Sequence, residues 1–217
     1  MPASAGAPPV TDGKPDTLTL VQRRRKQFVF GSGLLLLLVL LFTESIWPSA
    51  GWQHETCEMF GYGLILACIA GRTWCSLYIG GRKKKLLVDE GPYSISRNPL
   101  YLFSMLGGAG VGLQAGNVTT GLIFGLFVFA VFSVVIVQEE AFLKSRFPAE
   151  FAAYAGKVPR WGPRLSGWHS AAEILVQPRF VITTFRDALW FVAAIPLMEG
   201  IELAQEAGWL PVLLQIP

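Results

Sequence analysis

Charge is what this sequence has least of: 15% of its 217 residues are Asp, Glu, Lys or Arg, against 52% hydrophobic. That balance excludes an ordinary soluble globular domain. Cysteine and histidine are scarce too. Cys57, Cys68 and Cys75 are odd in number, lie in or beside one apolar stretch and have no CxxC spacing. They support neither a disulfide framework nor a zinc site and read as buried free thiols. His54 and His169 each lack a second His or Cys at ligand spacing, so no metal is implied. Internal repeats are missing, and Arg72 is the clear intramembrane charge, which argues against a transporter. Arg72 stands about two turns from the end of its span and is expected to snorkel to the interface. No small-residue cleavage site precedes Glu44, so the basic run at 23–26 and the apolar block after it are expected to be a retained first span rather than a signal peptide. The lack of other targeting signals favours a bacterial inner membrane, and no nucleic-acid partner is expected.

The apolar residues that are present gather in long blocks, such as 33–42 and 121–137. Such blocks supply most of the length a bilayer span needs. The expected fold is all-α: an integral membrane helical bundle of about five transmembrane helices plus a cytoplasmic interfacial helical segment. Spans are expected at 28–43, 58–79, 100–113 and 118–137, with a tilted, re-entrant or interfacial fifth element from near Phe180 and a last short block at 207–217. Residues 1–26 read as a disordered basic cytoplasmic tail and 27–217 as the membrane domain. Five Lys or Arg precede the first span, five lie in 82–97 and five in 144–164, whereas 44–55 and 114–119 contain none. The positive-inside rule then puts the amino terminus, the 82–99 loop and the 138–180 segment in the cytoplasm.

Two polar stretches fall on that side. The first is Asp89-Glu90-Gly91-Pro92-Tyr93-Ser94-Ile95-Ser96-Arg97-Asn98-Pro99-Leu100-Tyr101. Turn formation accounts for Gly91 and Pro92, and a helix start accounts for Pro99. Neither accounts for Tyr93, Arg97 and Tyr101, which an aromatic and basic belt explains in part. The second stretch begins Gln138-Glu139-Glu140, continues through Phe147, Phe151 and Tyr154 at helical spacing, and ends Val158-Pro159-Arg160-Trp161-Gly162-Pro163. Adjacent carboxylates at the end of an apolar helix are costly unless they meet cations or water. The aromatic stripe suits either an interfacial helix or the wall of a pocket.

GPYSISRNPLY resembles the GPY…RHPxY signature of the isoprenylcysteine carboxyl methyltransferases and their phospholipid methyltransferase relatives. EEAFLKSRFPAEFAAYAGKVPRWGP is similar to the same family's EExxL…F…Y…Y…VPRxxP signature, and the ordered pair covers 86–163. The resemblance implies a small helical membrane enzyme that takes S-adenosylmethionine from the cytosol and a lipid or lipid-linked acceptor from the bilayer. It assigns Tyr93, Arg97, Asn98, Pro99, Tyr101, Glu139, Glu140, Tyr154 and Arg160 to the cofactor pocket. The family His is Asn98 here, and the Gly usual soon after the motif Tyr is delayed to Gly107. Asn cannot titrate, so a proton-carrier role at that position is excluded.

Methyl transfer from a sulfonium is an in-line displacement that depends on alignment and desolvation. An ionised acceptor oxygen needs no base, only a cation to orient it, and a planar Arg fork does that well. Arg97, Arg160 and Glu140 are therefore the catalytic candidates, with Arg97 or Arg160 on the acceptor and Glu140, ahead of Glu139, on the cofactor's ammonium. N-methylation of an amino head group, S-methylation of a small thiol, and a non-catalytic scaffold that keeps the fold are the alternatives.

Overall fold

The computed structural model describes residues 31, 33–34, 36–82 and 86–217. It divides after Leu38 into two compact units, and the second, Val39–Pro217, carries the features below. The expected disordered tail and the start of the expected first span lie outside the described residues, whereas residues 36–41 are helical.

Strand β1 (Thr43–Ser45) is followed by α1 (Trp52–Ile79), the one-turn α2 (Pro92–Ile95), α3 (Pro99–Leu113) and α4 (Val118–Arg146). Then come α5 (Pro148–Lys157), a 3-10 turn at Leu165–Gly167, α6 (Pro178–Ala188), α7 (Trp190–Glu206) and β2 (Leu214–Ile216). Three runs among the described residues are long and apolar enough to cross a membrane: α1, α4, and α6 with α7 as Pro178–Glu206. At 1.5 Å per residue, α1 and α4 each reach about 42 Å, more than a hydrocarbon core of about 30 Å requires. Asn117 caps α4 by accepting from the Thr120 N–H at 2.8 Å. The outer faces fit lipid rather than water: Leu66, Leu122, Leu126, Leu203 and Trp190 are 62–76% exposed. The protein is an all-α membrane helical bundle.

Several expectations change in detail. The fourth span does not end near 137 but runs on to Arg146, so both motif carboxylates sit inside a helix. The fifth element has the length to cross and is divided at Leu189. The final short block ends in a strand: β2 pairs in parallel with β1, Thr43 opposite Leu214. Arg72 does not snorkel but donates from Nη1 to Ser104 Oγ on α3, held inside the bundle.

Helix α3 is the middle of the packing, with its main contacts to α1 and α4. Small residues allow this closeness: a Cβ on Gly110 would fall 2.8 Å from the Gly61 carbonyl oxygen of α1. At one end of the bundle Ser45 Oγ donates to the Gly116 carbonyl at 3.1 Å, and the Thr119 N–H donates to the Pro217 carbonyl at 3.1 Å. The two polar motifs meet at the other end.

Candidate active site

The 15-residue α3 spans about 22 Å. Its first turn therefore lies beside the middle of α4, where Tyr101 meets Phe132, and α4 runs on past it. The loop entering it is folded by Gly91, whose φ of 58° favours glycine. Its missing side chain also leaves room for the Tyr78 ring, since a Cβ at Gly91 would fall 2.3 Å from that ring. The segment after α5 then runs back along this loop. The Arg97 N–H donates to the Pro159 carbonyl and the Arg164 N–H to the Ile95 carbonyl, both at 2.9 Å. Ser96 Oγ donates to the Trp161 carbonyl at 2.9 Å, and the Gly91 N–H to the His169 carbonyl at 2.8 Å. The two signatures are thus stitched into one body by their backbones.

Glu140 is the centre of the resulting polar cluster. Its side chain is 9% exposed, and Oε2 accepts from Arg160 Nη2 at 2.7 Å, Arg160 Nε at 3.1 Å and Arg97 Nη1 at 3.5 Å. Oε1 accepts from Asn98 Nδ2 at 3.2 Å, and the same amide nitrogen lies 3.1 Å from the Arg160 carbonyl. The hydrogen bond and charge of Glu140 push the Arg160 guanidinium pKa up, so it remains a cation. Two guanidinium groups against one carboxylate leave one net positive charge. Arg160 presents it outward, with its side chain 43% exposed.

Helix α5 closes the cluster from beside it. Its aromatic stripe faces protein: Phe151, Tyr154 and Val158 are buried against Leu87 and Leu143. Tyr154 Oη donates to the Tyr93 carbonyl at 2.8 Å, and the Arg97 guanidinium stands 6.0 Å from the Phe151 ring centroid. Burial, reinforced by the negative charge of Glu139, pushes the Tyr93 phenol well up. Burial also raises Tyr154, with Asp89 adding to the rise and Arg97 opposing it. Both phenols are neutral at physiological pH.

The sequence-predicted residues therefore divide. Arg97, Asn98, Glu140 and Arg160 form one network, while Tyr93 and Tyr154 join each other across the motifs. Pro99 opens α3, and Tyr101 packs on Phe132 of α4 with ring centroids 4.8 Å apart. Glu139 is half-buried and its charge reaches Tyr93. Glu140, expected on a cofactor ammonium, is engaged in this chain by Arg97, Asn98 and Arg160, because α4 continues far enough to carry it into their reach. Sequence reasoning missed the return segment 164–170, whose Ser170 Oγ lies 3.1 Å from Tyr78 Oη. It has little to announce it beyond the Gly162-Pro163 turn.

Comparison with known proteins agrees with this anatomy. A family model for phospholipid methyltransferases matches residues 70–150. Over 183 residues the chain is 33% identical to the nickel-cobalt-cadmium resistance protein NccN of Alcaligenes xylosoxydans xylosoxydans, covering 84% of this chain and 85% of that one. It is 36% identical over 174 residues to the cobalt-zinc-cadmium resistance protein CzcN of Cupriavidus metallidurans, covering 80% and 79%. A shorter match, 34% over 91 residues, covers 42% of this chain and 39% of the protein-S-isoprenylcysteine O-methyltransferase of Schizosaccharomyces pombe. No solved structure matches. The chain belongs to the isoprenylcysteine carboxyl methyltransferase and phospholipid methyltransferase family of integral membrane methyltransferases.

Two orphaned groups test whether the site fits that family's methyl donor. Arg97 Nε and Tyr93 Oη are buried without a hydrogen-bond partner. Buried donors of this kind are costly unless a ligand satisfies them. Donors of this kind suit an anionic group such as a carboxylate.

Proposed function

We propose that this protein transfers a methyl group from S-adenosylmethionine to an anionic oxygen, carboxylate or phosphate, of a lipid or lipid-linked acceptor. The observation that carries the reading is the Arg97–Glu140–Arg160 cluster, in which two guanidinium groups share one carboxylate at the junction of both signatures and Arg160 stays partly exposed. Tyr93, Arg97 and Arg160 would hold the cofactor, with Glu140 or Glu139 facing its ammonium. When bound, the cofactor supplies an electrophilic methyl on a sulfonium. The chain's own part is positioning. Glu140 aims both guanidinium groups, Asn98 ties that carboxylate to the Arg160 backbone, and Arg160 meets the acceptor anion from its exposed edge. No residue needs to remove a proton from an oxygen that is already ionised.

A lipidic acceptor is supported by the route. The outer face of α4 is apolar up to the cluster, with Leu126, Val134 and Val137 exposed and Glu140 one turn beyond Val137. Trp161, next to Arg160, packs on Phe129 at 4.9 Å. We place the motifs at the cytoplasmic face of a bacterial inner membrane, following the Lys and Arg bias. Esterifying an acidic oxygen would remove a charge that binds divalent cations, in keeping with relatives named for nickel, cobalt, zinc and cadmium resistance.

The test is calorimetry with S-adenosylmethionine on the detergent-purified protein, followed by radiolabelled methyl transfer into a total lipid extract. Saturable binding and base-labile lipid label are expected. Base-stable label would move the acceptor to an amine, and binding without transfer to any fraction would favour the scaffold alternative. Absence of both would remove the enzyme reading.

A further inference from the structure

The end of the bundle away from Glu140 holds a second cluster. His54 and Glu58 stand one turn apart on the same face of α1, and α7 brings Glu202 to them from late in the chain. His54 Nε2 lies 3.6 Å from Glu58 Oε1 and 3.5 Å from Glu202 Oε1, and the three ligand atoms all fall within 4.8 Å of one another. We propose that His54, Glu58 and Glu202 bind one divalent transition-metal cation.

Geometry is the first support. Two ligands about 2.1 Å from a tetrahedral metal stand about 3.4 Å apart, close to both observed separations and long for a hydrogen bond. The carboxylates are 23% and 29% exposed, so each has freedom to adjust around an ion. The second support is the state of the imidazole. Its side chain is 5% exposed, yet Nδ1 is buried without a partner and Nε2 points at two carboxylates rather than at one hydrogen-bond acceptor. A cation between the three groups resolves the contacts at Nε2, while Nδ1 lies on the other edge of the ring and takes no part.

Charge balance is the third. Glu44, Glu55, Glu58, Glu199, Glu202 and Glu206 belong to the segments at this end, while 27–71, 98–143 and 187–217 contain no Lys or Arg. Those segments supply no Lys or Arg side chain to offset the carboxylates. Access is present as well: a cavity of about 280 Å³ is lined by Glu44, His54, Gln114, Glu202, Gln205 and Glu206. Three protein ligands beside a cavity leave a coordination position for water, which suits an exchangeable ion. One imidazole with two carboxylates favours zinc, cobalt or nickel over calcium and magnesium, which take oxygen ligands. The sequence expectation of no metal looked for a second His or Cys and did not weigh carboxylates delivered by another helix.

This site is independent of the methyl-transfer reading and has its own experiment. Full-length protein in detergent is titrated with Co²⁺, and its visible absorption is followed. One equivalent is expected, displaced by Zn²⁺, with a Zn²⁺-dependent rise in Tm. His54→Gln and Glu202→Gln should each weaken uptake by at least about tenfold. Glu206→Gln should leave it within about threefold, since the Glu206 carboxylate already accepts from Ser49 Oγ at 2.6 Å. Should Glu202→Gln fail to fold, Glu58→Gln at the other carboxylate gives the same reading. Failure to take up Co²⁺, uptake unchanged by His54→Gln and Glu58→Gln, or displacement by Mg²⁺ in preference to Zn²⁺ would overturn the assignment.

Discussion

The two ends of this bundle handle their carboxylates in opposite ways. At the motif end, Glu140 is surrounded by donors from its own chain: two arginines and an amide, drawn from two signatures. At the other end, Glu58 and Glu202 meet a single imidazole at distances too long for good hydrogen bonds. The first arrangement is self-sufficient in cations and has one to spare. The second lacks them. Charge surplus points to an anionic ligand and charge deficit to a cationic one, so one polypeptide presents two binding chemistries at its two ends.

Breaking the self-sufficient end should have the largest effect. Glu140→Ala leaves two guanidinium groups facing each other, and removal of one partner from a buried pair costs roughly 3–5 kcal/mol. The exposure of Arg160 puts the expected loss near the lower figure, read as thermal unfolding in detergent, with methyl transfer abolished. Asn98→Ala removes the donor to Glu140 Oε1 and to the Arg160 carbonyl, for about 1–3 kcal/mol. Asn98→His, which restores the residue usual in the family, should retain transfer. Tyr154→Phe deletes one hydrogen bond to the Tyr93 carbonyl and should lower stability by about 1 kcal/mol.

The smallest effect on stability should come from Tyr93→Phe, because its hydroxyl has no partner to lose. Calorimetry should nonetheless show weaker cofactor binding in that variant; unchanged affinity would remove Tyr93 from the site. The raised Tyr93 and Tyr154 pKa values also predict a transfer rate without a phenol inflection up to about pH 10. An inflection below that would mean a phenolate acts as base.

Much of the motif end was legible in the sequence because its residue types are expensive where they lie. Arg97 and Glu140 at the ends of apolar runs need partners, and the signatures supply both. What could not be read was partnership. The partners of Glu140 were not legible, because nothing local shows α4 running on to Arg146 and carrying it under Arg160. Arg72 looked able to reach the interface because Ser104, its partner, belongs to another helix. The pairing of β1 with β2 joins segments from opposite ends of the membrane domain, each only three residues long and without a strand pattern. The neighbours of His54 were likewise hidden, since Glu202 arrives from another helix by folding.

The central claim is methyl transfer to an acidic oxygen at the Arg97–Glu140–Arg160 cluster. Its most direct measurement is untargeted lipid mass spectrometry of cells carrying the gene, cells lacking it, and cells carrying the Glu140→Ala variant. A species heavier by one CH₂ and labile to base should appear with the intact gene alone. An identical lipid profile in all three strains, with no methylated species in any of them, would contradict it.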